Sequence, residues 1–97
     1  MSSGQQARDE YEKALQVARD KLAKVRQIAE KEYNEQVKAI RAKYIKPGVP
    51  VPEDYERETL AAQDEYYNVT MAARNEYDMA YQAAWEKYQK ALKTAQD

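Results

Sequence analysis

The chain has 97 residues and a formal charge of −1, from 16 Lys/Arg and 17 Asp/Glu. Its 43% hydrophobic content is mainly 16 Ala and 9 Tyr, with only 13 Val, Ile and Leu. So few large aliphatics cannot fill a thick core, which argues against doubly wound, barrel and sandwich folds, and a chain with two Gly and no Phe is unlike an all-β protein.

Missing residue types also exclude chemistry. There is no His and no Cys, so disulfides, thiolate nucleophiles, Cys/His zinc sites and Ser-His-Asp triads are out of reach. Gly4 and Gly48 are too far apart for a phosphate-binding loop. The expectation is a non-enzyme with no catalytic, metal-ligating or cofactor-binding residues, no small-molecule substrate and no nucleic-acid partner. No apolar run is long enough to span a bilayer, and Met1-Ser2-Ser3-Gly4 opens no apolar signal region. The reading is therefore of a soluble chain, cytoplasmic rather than secreted, standing alone or as a segment of a larger protein.

In chain order, a helix is expected over about residues 7–45, a Pro-rich turn over 46–52, and a second helix over about 53–95. Lys46-Pro47-Gly48-Val49-Pro50-Val51-Pro52 holds all three prolines, each of which lacks an amide proton and pushes the preceding residue out of the α region. Pro52 suits the first position of the second helix, with Glu53 and Asp54 in its first turn against the dipole.

Both helices carry an eleven-residue repeat. Every eleventh residue from Tyr11 is Leu22, Tyr33, Tyr44, Tyr55, Tyr66, Tyr77 and Tyr88. The eighth position of the same frame is Ala18, Ala29, Ile40, Ala62, Ala73, Ala84 and Ala95; the fourth adds Ala14, Val25, Val69, Ala80 and Ala91, with Gln36 and Glu58 between them, and the fifth adds Leu15, Val37, Tyr81 and Leu92, diluted by Arg26, Thr59 and Thr70. At 100° per residue these four positions span about 100°, which is one helix face. Eleven residues in three turns predict a nearly straight or weakly right-handed pairing. Small Ala lets two helices approach, and the Tyr ring fills the space beside it.

Charge predicts that the two helices lie antiparallel. Residues 1–46 hold eleven Lys/Arg and seven Asp/Glu, a net of +4, while residues 47–97 hold five and ten, a net of −5. Folding back places Lys38, Arg41, Lys43 and Lys46 beside Glu53, Asp54, Glu56 and Glu58, and Asp9, Glu10 and Glu12 beside Lys87, Lys90 and Lys93.

Two surfaces stand out as partner-binding candidates. Tyr67, Met71, Tyr81 and Trp85 lie about 40–140° round from the Tyr/Ala face, interrupted by Arg74 and Asp78. One hairpin cannot cover both faces of a helix, so this flank is open to a partner. Val49 and Val51 at the turn form the second candidate.

The period alone resembles that of synuclein-type lipid-surface helices and late-embryogenesis-abundant proteins, although their Lys-flanked, Thr/Gly-rich block is absent. That resemblance implies an amphipathic helix at a lipid surface, which the acidic second half opposes. The expected fold is all-α, a two-helix antiparallel hairpin forming a coiled coil of eleven-residue repeat and dimerising into a four-helix bundle. The expected function is a protein-binding or scaffold module; a small inhibitory protein docking through its aromatic flank and a lipid-surface protein are the rivals.

Overall fold

The structure, a computed structural model, describes residues 3–96. It consists of α1 (Ser3–Tyr44) and α2 (Glu53–Gln96), and among the described residues there is no strand. Neither helix is long and apolar enough to cross a membrane. No Pro falls inside either helix, and Ala, Glu, Lys and Gln, all strong helix formers, supply about half of their lengths.

α1 begins four residues ahead of the expected Ala7, and its first turn holds no acidic residue. Asp9, Glu10 and Glu12 therefore sit beyond the turn whose dipole they were expected to neutralise. The other three ends follow expectation: Arg41 and Lys43 close α1, Glu53, Asp54 and Glu56 open α2, and Lys93 lies in its last turn.

The break has a defined geometry. The Ile45 amide still donates to the Arg41 carbonyl at 2.8 Å, which ends the helical ladder. The Val49 amide then donates to the Lys46 carbonyl at 3.3 Å, closing a four-residue turn. Pro47 occupies its second position and Gly48 its third, with φ at +74°, the pattern of a type II turn. The Pro52 carbonyl accepts from the Tyr55 amide at 3.1 Å, so Pro52 caps α2 from just outside it.

The chain divides into two units, each built from one segment of each helix. The first joins the segment ending at Lys24 to the segment starting at Ala73, and the second is Val25–Ala72 with the turn. In the first unit Tyr11 stacks on Tyr88 with ring centroids 5.1 Å apart, and Lys21 pairs with Glu76. In the second, Tyr33 meets Tyr66 at 5.3 Å, Tyr44 meets Tyr55 at 6.4 Å, and Lys43 pairs with Glu58 at 3.4 Å. Rising numbers on α1 meet falling numbers on α2, so the segments of each unit run antiparallel.

Burial follows the eleven-residue frame within each unit. The buried residues are Ala7, Leu15, Ala18 and Ala73 in the first unit and Ala29 and Ala62 in the second. All but Leu15 occupy the eighth position, whereas Tyr11, Leu22, Tyr33, Tyr44, Tyr55, Tyr66, Tyr77 and Tyr88 are all half-buried. The side chain of Ala95, on the same stripe, lies outside the described residues. Each Ala methyl contributes only about 0.8 kcal/mol on burial, while covering about 100 Å² of a Tyr contributes roughly 2.5 kcal/mol. The rings therefore supply most of the cohesion, and Ala sets the spacing.

Thr59 and Thr70, two of the polar intrusions on this face, hide their hydroxyls in the helix. Each donates to the carbonyl of the stripe tyrosine four residues back, Tyr55 at 2.7 Å and Tyr66 at 2.9 Å.

Candidate interaction surface

Tyr81 and Trp85 belong to an aromatic cluster in the first unit. Tyr11 on α1 is its centre, with the Tyr81 ring 6.5 Å away at 67°, Trp85 5.8 Å away at 64°, and Tyr88 stacked beneath. Trp85 also meets Tyr88 edge-on at 5.9 Å, and Tyr77 lies 6.5 Å from Tyr81. The spacing of Tyr77, Tyr81, Trp85 and Tyr88 by three or four residues places them on adjacent turns of α2, where edge-to-face contacts are favourable. Hydrogen bonding with Tyr81, and then desolvation, hold the Tyr11 phenol above its ordinary pKa.

The cluster is not sealed. Trp85 keeps 41% of its surface in solvent, and Tyr81 is similarly open. The outer side of Trp85 lies in an open groove with Gln82, Glu86, Gln89, Lys90, Leu92 and Lys93. Arg74 and Asp78 form an i,i+4 pair at 3.8 Å alongside.

Tyr67 and Met71 lie in the second unit, where Tyr67 is 61% exposed and, among the described residues, has no aromatic neighbour in contact. Met71 and Leu60 are exposed on the same side of α2. The turn places Val49 and Val51 in solvent, each 54% exposed. The structure thus groups Tyr81 with Trp85 through Tyr11, and Tyr67 with Met71 by helix face, and leaves the two valines on the turn.

Beside that turn, one of the charge pairs expected from the sequence forms, joined by a tyrosine that the sequence reading did not connect with it. Glu58 Oε1 accepts from Lys43, and the Lys43 ammonium also lies 5.0 Å from the centre of the Tyr44 ring. The Tyr44 hydroxyl, then Lys43, hold the Glu58 carboxyl below its ordinary pKa, against an opposing desolvation. Tyr44 and Lys43 are both shifted up, Tyr44 first by Glu58, and Lys43 first by Tyr44 and then by Glu58. Glu58 Oε2 is shielded from solvent and has no donor in hydrogen-bond geometry, although Tyr44 is close enough to depress the pKa. The spacing of the fourth position marked Glu58 as facing the seam, but that position was read for its apolar members.

Each unit also contains one small cavity beside a tyrosine pair, and the two are lined by the same frame positions. Ala7, Glu10, Tyr11 and Ala14 meet Ala84, Lys87, Tyr88 and Ala91 in the first; Ala29, Glu32, Tyr33 and Gln36 meet Ala62, Glu65, Tyr66 and Val69 in the second. Their volumes of about 60 and 10 Å³ admit a few waters at most, far below the several hundred Å³ of an ordinary ligand pocket. Glu10 and Lys87 flank the first cavity without an ion pair, and among the described residues none joins Asp9, Glu10 or Glu12 to Lys87, Lys90 or Lys93. Among the described residues no cluster of three or more Asp or Glu is placed to hold a metal ion.

Comparison with known proteins finds no family model, no curated protein and no solved structure that matches this chain.

Proposed function

We propose that this chain is a non-enzymatic protein–protein interaction or scaffold module, a coiled-coil hairpin of eleven-residue repeat that self-associates as a four-helix bundle. The observation that carries the reading is the open aromatic cluster around Tyr11. Tyr81 and Trp85 are held by ring contacts on one side and left to solvent on the other, which pre-organises them for a partner. Large aromatic rings lose few rotors on binding and bury much area, the properties of interface anchors. Most side chains of α1 on the same flank, among them Arg19, Asn34 and Lys38, are polar, so the aromatic flank suits a partner of different sequence.

The test is far-UV circular dichroism of the full chain with and without anionic phosphatidylserine vesicles, alongside Trp85 emission. The expected result is full helicity in buffer alone, unchanged by vesicles, with partly solvent-exposed emission from the one Trp. Helicity that develops only on adding vesicles would overturn the reading in favour of a lipid-surface helix.

A further inference from the structure

Nine of the 97 residues are Tyr and none is Cys, so no disulfide can join the two helices. Yet all three tyrosines of α1 meet a tyrosine of α2. Tyr11 stacks on Tyr88 in the first unit, with centroids 5.1 Å apart and ring planes at 23°. Tyr33 meets Tyr66 in the second at 5.3 Å and 44°. Tyr44 meets Tyr55 edge-on, at 6.4 Å and 77°. The other three, Tyr67, Tyr77 and Tyr81, all lie on α2, and Tyr81 reaches Tyr11 edge-on at 6.5 Å.

Non-covalent cohesion across each seam is thin. The buried residues are five alanines and Leu15, and among the described residues no large side chain is fully buried. The ion pairs that cross the seam, Lys21 with Glu76 and Lys43 with Glu58, stand in solvent, where such pairs contribute little. A cross-link acts mainly by restricting the unfolded chain, so it matters most where the folded core is small.

We propose that Tyr11–Tyr88 and Tyr33–Tyr66 are sites of oxidative tyrosine coupling, which staples α1 to α2 once within each unit. The oxidant is a haem peroxidase with hydrogen peroxide. It removes one electron and the phenolic proton from each ring of a pair. The two phenoxyl radicals join by a new carbon–carbon bond between the ring positions beside their hydroxyls. Each joined carbon then gives up its hydrogen as a proton and the phenolic oxygen of the same ring gains one, which restores both phenols. The pair has lost two hydrogen atoms, and one hydrogen peroxide has become two waters.

Geometry selects these pairs. A phenoxyl radical is short-lived, so it couples with a ring already beside it. The stacked pair and the tilted pair are the two closest tyrosine contacts, whereas the edge-on contacts of Tyr44 with Tyr55 and of Tyr11 with Tyr81 hold the rings farther apart. Tyr11, Tyr33, Tyr66 and Tyr88 are half-buried, reachable by electron transfer yet held in place by the seam. Exposure alone would select otherwise. Tyr67 is 61% exposed and among the described residues touches no other ring, so its coupling would join separate chains.

The experiment treats the dilute full chain with a purified haem peroxidase and limiting hydrogen peroxide. Products are read by denaturing electrophoresis, intact mass, dityrosine emission and peptide mapping. The expected product runs as one chain of 11.3 kDa, lighter by two hydrogen atoms for each link. Mapping joins the peptide of Tyr11 to that of Tyr88 and the peptide of Tyr33 to that of Tyr66, and the linked chain melts above the parent. Tyr11→Phe and Tyr33→Phe keep the ring and lose the phenol, so each abolishes its own link and spares the other, with helicity retained by circular dichroism. Tyr88→Phe and Tyr66→Phe repeat the test from α2, and Tyr67→Phe leaves both links unchanged. Coupling chiefly between chains, or chiefly at any other pair within the chain, overturns the proposal. So do tyrosine oxidation without coupling and a linked chain that melts below the parent, and the absence of either link overturns it for that pair. None of these outcomes bears on the interaction-module reading, which the vesicle experiment tests separately.

Discussion

The two glycines should respond to Ala in opposite directions. Gly48 has φ at +74° and nothing within 4 Å of where a Cβ would stand, so Gly48→Ala meets no steric clash and its whole cost is backbone. Holding an L-residue in the left-handed region costs about 1–2 kcal/mol. Ala also restricts the unfolded chain, which offsets about 0.4–1 kcal/mol. The expected net loss is roughly 0.5–1 kcal/mol, or about 2–8 °C in melting temperature for a chain of this size. Gly48→Asn should fall between the parent and Gly48→Ala, because Asn tolerates the left-handed region better. Gly4 is helical, and a Cβ there stands 3.9 Å from Leu92 Cδ2, an ordinary contact. Gly4→Ala should therefore stabilise, by at most about 0.5 kcal/mol so near the helix start. Thermal denaturation followed at the helical dichroism band reads both variants. Gly48→Ala melting at or above the parent would refute the type II turn, and a fall for Gly4→Ala would refute the helical placement of Gly4.

Three further outcomes follow from the seam. A double-mutant cycle on Tyr33→Ala and Tyr66→Ala, read by urea unfolding, should give a coupling of about 0.5–1.5 kcal/mol, and additive losses would mean the rings do not meet. Ala62→Leu forces a large side chain between helices spaced by Ala and should cost about 1–3 kcal/mol, whereas Ala61→Leu on the exposed neighbour should cost far less in a monomer. For pH, the depressed Glu58 pKa adds stability that is present above the ordinary carboxylate value and is lost as pH falls through the folded one. The raised Tyr11, Tyr44 and Lys43 values act in reverse, giving stability below their ordinary values, near 10, that disappears as pH rises through the folded ones. Melting temperature should therefore fall in acid and again above about pH 10, and Glu58→Gln should blunt the acid limb.

The sequence made the helices, the turn and the seam residues legible because each has a local cause. Pro and Gly interrupt the helix by sterics alone, and a large ring repeated every three turns marks one face. Ala7, Ala18, Ala29, Ala62 and Ala73 are buried where that face predicts. What escaped notice depends on neighbours across the gap. Trp85 was read as part of a flank apart from the Tyr/Ala face, and Tyr81 as belonging to both, yet both meet Tyr11, because a bulky ring beside small Ala reaches over the seam. Charge balance by halves predicted opposition between the helices but not which ions meet. Lys21–Glu76 and Lys43–Glu58 form, while Glu12 turns to Arg8 at 3.6 Å.

The recurrence of one cavity design, wall for wall, in both units has a consequence for length. Since the same four positions recreate the same niche in each unit, a whole block added to one arm alone carries each ring onto the equivalent ring of the neighbouring block and leaves one block of the longer arm bare. Changing both arms by one block would leave every ring with a partner of its own kind.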